Sequence, residues 1–245
     1  MEIIRNCTHY SSTMTAIDYD AFAKPSKVVK VSFDEDGARA LRNEYEGIKW
    51  YARQLSVDPA SVASIVGYTQ SYVRLELVYK HGELGDPYKS IKENYKKVLS
   101  AIDYNLKVFG KSGPRFSHGD YSLSNMIFRN DEVIWVIDWE QFNQSLPPEF
   151  DILNCIMEAC YFNYMKRKKL KSDEVVFFRN LLNHASSIIG LPESCLTAPA
   201  NYFSNLCLNN AQVLGSQAMK FPFVNHDPND IKNIDSYFGQ RGSKS

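Results

Sequence analysis

Cysteine is scarce and unpaired in this sequence. Cys7, Cys155, Cys160, Cys195 and Cys207 make an odd count with no C-x-x-C spacing, which excludes a disulfide framework and offers no thiolate zinc site. Net charge is lacking as well, with 28 Lys and Arg against 28 Asp and Glu. A general nucleic-acid binder needs surplus positive charge to displace counterions, so no nucleic-acid partner is expected. No apolar run approaches the roughly 20 residues that cross a bilayer, so no transmembrane segment is expected. Met1-Glu2-Ile3-Ile4-Arg5 turns polar too early for a signal peptide. Internal repeats and low-complexity tracts are also missing. A soluble, reduced, cytoplasmic chain is the expectation these absences leave. What is present is ordinary for a globular protein: 44% hydrophobic and 23% charged residues over 245 positions, enough for one large domain or two small lobes.

The first part of the chain mixes strand-like runs with a single helical stretch. Lys27–Phe33 reads as a strand, with Val29, Val31 and Phe33 on one face and Val28, Lys30 and Ser32 on the other. A charge therefore falls in mid-strand. From Asp36 to about Ala52 the pattern turns helical, with Leu41, Tyr45, Ile48 and Ala52 on one stripe. Ser64–Tyr68 and Tyr72–Tyr79 read as two further strands joined by a polar turn. Beyond Gly85 the chain is mostly helical. Its clearest helix is expected to be capped by Asp86, with Pro87 in first position, and to end at Gly110. Further helices are expected at about 148–165, 173–190 and 199–216, the first apolar nearly all round like a central buried helix.

Between the helical stretches lies Phe116-Ser117-His118-Gly119-Asp120-Tyr121-Ser122-Leu123-Ser124-Asn125. Two apolar runs follow, Met126–Phe128 and Val133–Ile137, flanking Arg129-Asn130-Asp131-Glu132, which is hairpin composition. The second run ends in Asp138-Trp139-Glu140. With Asp131-Glu132 as a two-residue loop, Asn125 stands opposite Asp138; centring on Asn130-Asp131 shifts the pairing by two and keeps the faces. Either register brings an amide oxygen and a carboxylate together at the open end of the hairpin, with Asp120 on the loop leading in. Such hard oxygen donors suit Mg²⁺, which takes one or two protein oxygens and leaves the rest to phosphates and water.

H-G-D-x-x-x-x-N followed by a strand ending in D-W-E resembles the aminoglycoside phosphotransferase and choline/ethanolamine kinase group, relatives of the protein kinases, whose catalytic loop has the same Asp-to-Asn offset. The resemblance implies an α+β, bilobal, protein-kinase-like fold. Residues 1–82 would form a small antiparallel-sheet N-lobe, and 83–245 a mostly helical C-lobe. It implies ATP and Mg²⁺ as cofactors and a small-molecule hydroxyl as acceptor. In its terms, Asp120 orients and deprotonates the acceptor hydroxyl, Asn125 and Asp138 hold the metal, and His118 braces the loop. Lys30 contacts the α- and β-phosphates, and Val28 lines the adenine pocket. Val78 and Tyr79 end the strand that runs into the adenine-binding hinge. Glu44 pairs with Lys30. Helix geometry favours Glu44 over Glu46, since at about 100° per residue Glu44 lies roughly 60° from the centre of the apolar stripe while Glu46 points well away. Phe150-Asp151-Ile152, with Asn154, Glu158 and Tyr161 following, is similar to the choline/ethanolamine kinase pattern, in which the Asp caps the buried helix and fixes the catalytic loop.

Residues 1–29 contain no glycine, so the Gly-rich phosphate loop of such kinases is replaced. Ser11, Ser12 and Thr13 are the candidates to supply N–H groups and hydroxyls in its stead. The short stretch between Glu83 and the catalytic loop points away from a bulky aminoglycoside. An amino alcohol (choline/ethanolamine-like) and a sugar or glycan precursor both remain open as acceptors. A catalytically weak pseudokinase acting as a nucleotide-binding regulator or scaffold is the alternative, and a two-metal phosphoesterase lacks the extra His and Asp clusters it would need. Cys155 and Cys160 read as core, and Lys166–Lys171 as a solvated helix end. Tyr161, Phe162, Tyr164, Tyr202 and Phe203 read as core packing rather than a quaternary-amine cage. Oligomeric state leaves no signature.

Overall fold

In the computed structural model the described residues are 1–5, 12–110, 116–142, 146–214 and 227–239; Cys7 and Ser11 lie outside them. They divide into two units, Met1–His81 with Ile137–Phe142, and Gly82–Val136 with Asn143–Ser245.

The first unit is built on an antiparallel sheet of order β1-β2-β3-β5-β4. Its strands are β1 (Glu2–Arg5), β2 (Thr13–Tyr19), β3 (Pro25–Ser32), β4 (Ala63–Tyr68) and β5 (Val73–Val78). Strand β3 departs from the expected pattern. Phe33 lies beyond it and is 59% exposed, whereas Lys30 and Ser32 are buried. Polar groups can occupy that face because each is satisfied there. Ser32 Oγ accepts the Val73 N–H at 2.7 Å and donates to the Ser71 carbonyl at 3.1 Å, while Lys30 has carboxylate partners. Helix α1 (Glu35–Gln54) opens on Asp34, whose carboxylate accepts the Gly37 N–H at 2.7 Å. That bond, and then the Ser12 hydroxyl, hold the Asp34 carboxyl below the usual carboxylate range. Leu41, Ile48 and Ala52 are buried along its inner stripe, with Tyr45 half-buried.

The second unit holds a three-stranded sheet, β6 (Glu83–Leu84), β7 (Met126–Arg129) and β8 (Glu132–Val136), and the remaining helices. Asn130 and Asp131 form the hairpin loop with φ of 53° and 65°, the left-handed values a type I′ turn requires. Of the two registers open in the sequence, the structure has the one centred on this pair, then departs from it. Arg129↔Glu132 and Phe128↔Val133 give way to Ile127↔Trp135 and Met126↔Val136. The shift is a bulge at Ile134, and the ladder ends at Met126↔Val136, so Asn125 and Asp138 are not a cross-strand pair.

Helix α2 (Ile91–Phe109) starts later than expected. A capping box at Ser90 and Glu93 satisfies two of its first N–H groups, while Asp86 instead accepts the Tyr88 N–H in the preceding turn. Helices α3 (Phe150–Met165) and α4 (Ser172–Ile189) fall where expected, α3 buried nearly all round. The stretch 199–216 contains α6 (Pro199–Asn209) and α7 (Ala211–Leu214). Sequence periodicity missed α5 (Glu193–Thr197) and α8 (Pro228–Gly239). Asp235 on α8 caps α6 from outside, accepting the Ala200 and Asn201 N–H groups at 2.8 and 3.0 Å. Among the described residues no helix is long and apolar enough to cross a membrane.

Candidate active site

In the first unit the chemistry gathers around one ammonium. Lys30 Nζ lies 2.8 and 2.7 Å from the two oxygens of Glu44, 2.6 Å from Asp138 Oδ1 and 3.6 Å from Glu140 Oε1. Lys30 is 7% exposed and Glu44 fully buried. Burial works against the ammonium, but the charges of Asp138, Glu44 and Glu140 outweigh it and hold the Lys30 pKa above its ordinary value. Burial likewise pushes the Glu44 carboxyl upward, with Lys30 opposing and Asp138 and Glu140 reinforcing.

Asp138 is set by its own backbone and by α1. It adopts a left-handed conformation, φ 64° and ψ 59°, at the start of the 3₁₀ turn Trp139–Gln141. Asn43 Nδ2 on α1 donates to the Glu140 and Phe142 carbonyls at 2.7 and 3.0 Å. Gly47 lets the turn approach, since a Cβ there would stand 2.8 Å from Trp139 Cβ. Trp139 is fully buried, its ring 4.8 Å from that of Tyr51. Sequence reading missed Asn43 and Gly47, because neither residue type on a helix signals a partner.

The nucleotide-binding expectations on β3 and at the end of β5 fall in the same unit. Val28 is half-buried and pairs with Leu77, while Val78 is 44% exposed. The N–H groups of Val78 and Tyr79 are taken by the Val62 and Ser26 carbonyls at 2.9 and 3.0 Å. Thr13 begins β2 and is buried, and the Ser12 hydroxyl serves Asp34. Thr13 therefore belongs to the strand, while Ser12 stands on the bend before it.

In the second unit Asp151, at the start of α3, holds the His118-Gly119-Asp120 loop. Its carboxylate accepts from Ser117 Oγ at 2.8 Å, the His118 N–H at 2.7 Å and the Gly119 N–H at 3.0 Å. Gly119 has φ 81°, a turn that a side chain would strain. Buried His118 accepts the Asp120 N–H on Nδ1 at 3.3 Å, and Tyr121 anchors the loop to the Ala101 carbonyl at 2.8 Å. Asn125 Nδ2 donates to the Asp120 carbonyl at 2.9 Å and to Asp120 Oδ2 at 3.1 Å. Asn154 and Glu158, one turn apart on α3, keep Nδ2 and Oε2 buried without a hydrogen-bond partner among the described residues. Burial, with the Asp120 charge added, pushes the Glu158 carboxyl up to about 8.

Asp138 offers the carboxylate oxygen that magnesium takes, whereas both oxygens of Glu44, which lies with Asp138 and Glu140 within 4.8 Å, are already held by the Lys30 ammonium.

Neither a protein-family model nor a curated protein matches the chain. Solved structures do. The streptomycin–ATP–APH(2")-IIa ternary complex is similar at a TM-score of 0.51 and 15% identity, over 92% of this chain and 90% of the other. ADP-bound aminoglycoside phosphotransferase APH(2'')-Ib is similar at 0.42 and 15%, over 97% and 92%. The gentamicin–APH(2")-IIa complex gives 0.41 and 15%, over 93% and 91%. At this identity the likeness is one of fold. An antiparallel-sheet unit and a mostly helical unit make up the kinase-like α+β fold, and this chain has it.

Proposed function

We propose that the protein is an ATP-dependent small-molecule kinase, transferring the γ-phosphoryl group of ATP to the hydroxyl of an amino alcohol. The observation that carries this reading is the Lys30 ammonium held between Glu44 and Asp138, in a chain with the fold of an ATP-bound APH(2")-IIa complex. In this reading Lys30 neutralises charge on the α- and β-phosphates, and Glu44 fixes its direction. Val28, Val78 and Tyr79 border the adenine. Asp120 aligns the acceptor hydroxyl and takes its proton as the acceptor oxygen bonds to phosphorus and the bond to the β-phosphate oxygen breaks. His118 and Asp151 keep Asp120 in place. Magnesium, when bound with the nucleotide, spreads the phosphate charge; Asn125 and Asp138 are the residues proposed to hold it. Glu158 supports a cationic acceptor: its Oε2 is buried with no hydrogen-bond partner among the described residues, and within reach of the Asp120 charge it gains most from a substrate ammonium.

The test is ADP release with magnesium and a panel of amino alcohols and neutral sugars. Amino-alcohol-dependent release is expected, abolished in Asp120→Ala and Asp138→Ala. Wild-type-like release by either variant would overturn the assignment, and release with sugars alone would move the acceptor to a sugar hydroxyl. A pseudokinase is the second reading, supported by the glycine-free residues 1–29 and by the commitment of Ser12 to Asp34. Binding of ATP and magnesium seen as a thermal shift, without turnover of any acceptor, would favour it.

A further inference from the structure

Apart from the Lys30 cluster and the Asp120 loop, the second unit carries an open cavity of about 360 Å³ along α5 and α6, a size within the roughly 300–1,000 Å³ of small-molecule sites. Asn201, Asn205 and Asn209 line it at four-residue intervals, so their amides form one stripe of α6. All three are exposed. The Ser194 hydroxyl and the apolar surfaces of Tyr202 and Leu206 complete the wall. The wall is set in place from behind. Asp235 holds the first N–H groups of α6, and the Tyr202 hydroxyl is tied to Glu149 Oε1 at 3.2 Å. Thr197 also lines the cavity but turns its hydroxyl back to the Glu193 carbonyl at 3.0 Å.

What this groove lacks decides its ligand. None of the described side chains lining it carries a formal charge, in a chain where 23% of residues do. Among the described lining side chains an anion meets no cation, and the nearby Glu149 carboxylate is engaged by the Tyr202 hydroxyl. A wholly apolar ligand would desolvate a row of amides with nothing to pair them. A primary amide donates and accepts at once, which matches neighbouring hydroxyl groups that do the same. Tyr202 and Leu206 supply apolar surface for the C–H face of a sugar ring.

We propose that the α5–α6 groove binds a neutral polyhydroxylated ligand, a saccharide or polyol. The proposal goes beyond phosphoryl transfer and does not depend on it. The test uses the full ¹⁵N-labelled chain without nucleotide, following the side-chain amide signals of Asn201, Asn205 and Asn209. Glucose, N-acetylglucosamine, maltose and sorbitol are titrated, with glucosamine and glucose 6-phosphate as charged comparators. Saturable shifts of these amides by at least one neutral compound are expected, with affinity falling about tenfold in Asn205→Ala/Asn209→Ala. Those substitutions are at exposed helix positions, where alanine favours the fold. Sorbitol acting as well as the sugars would identify a polyol site, and sugars alone a ring-recognising one. The shifts are expected unchanged in Asp120→Ala, so the groove stands or falls apart from the kinase reading. No saturable shift from any neutral compound, equal response to the charged comparators, or full affinity in the double variant would each overturn the proposal.

Discussion

Asp138 Oδ1 meets the Lys30 ammonium at 2.6 Å across 108 positions of sequence. A left-handed aspartate on a short turn keeps that distance only if the turn is anchored, and α1 anchors it with Asn43, Gly47 and the ring of Tyr51.

Gly47→Ala should therefore disturb Asp138 without touching it. In a helix interior alanine gains about 1 kcal/mol over glycine, but the new methyl would stand 2.8 Å from Trp139 Cβ and 2.9 Å from Phe142 Cβ. Overpacking of that kind costs about 1–3 kcal/mol, so a net loss of about 1 kcal/mol is expected. Thermal melting with and without ATP and magnesium checks it. A variant more stable than wild type, with an unchanged nucleotide shift, would show that the turn is not held through this contact.

Lys30→Met should be among the most destabilising single changes in the first unit. It leaves the fully buried Glu44 carboxyl without its counter-charge, and breaking a buried pair in this way costs about 3–5 kcal/mol. Replacing both partners, Lys30→Met with Glu44→Leu, should recover part of that loss, because the buried Glu44 charge is gone while Asp138 and Glu140, 2.6 and 3.6 Å from Lys30 Nζ, still lose their cation. Urea unfolding of wild type, single and double variants measures the difference. Equal stability of the two variants would mean that Glu44 finds another partner.

Asp151→Ala should loosen the catalytic loop specifically. Ser117 Oγ and the His118 N–H lose their acceptor together, and the Gly119 N–H keeps only Ser117 Oγ at 3.2 Å. Buried donors left unpaired cost about 1–3 kcal/mol each, so stability should fall by at least about 2 kcal/mol. Hydrogen exchange should accelerate at the His118 and Gly119 amides more than along α2. Uniform acceleration over the second unit would assign Asp151 to general packing instead.

The pairing of Lys30 with Glu44 follows from the family resemblance, helix geometry selecting Glu44 over Glu46, whereas the alternation along β3 gives no sign that Lys30 is buried. The start of α2 was misplaced for a local reason: the capping box of Ser90 and Glu93, which satisfies two N–H groups, sets the start in place of Asp86-Pro87. The hairpin was legible in position but not in register. Its loop was one of two candidates, and the bulge at Ile134 depends on packing that pairing rules do not carry. Helices α5 and α8 escaped because one is five residues long and the other has only a narrow buried stripe, Ile234 and Phe238 among its apolar contacts. The left-handed backbone of Asp138 had no signal at all, since aspartate is merely tolerant of that conformation.

Glu158→Gln carries a distinct pH signature in the second unit. Burial, then the Asp120 charge, raises its carboxyl pKa to about 8 in the folded chain from an ordinary 4.5. Between those values the folded protein holds a proton that the unfolded chain has released, so wild-type stability falls as pH rises through the window. Glutamine does not titrate and keeps a donor where the protonated acid has one. The variant should match wild type near pH 5 and exceed it by on the order of 3–4 kcal/mol at pH 8, read from melting or urea unfolding at the two pH values. Under the proposed function the same change should raise KM for an amino alcohol far more than for an uncharged alcohol, because only the former supplies an ammonium to the carboxylate. A stability gap that stays constant from pH 5 to pH 8 would mean that the Glu158 carboxyl is already ionised and solvated in the folded chain, removing the physical ground for a cationic acceptor.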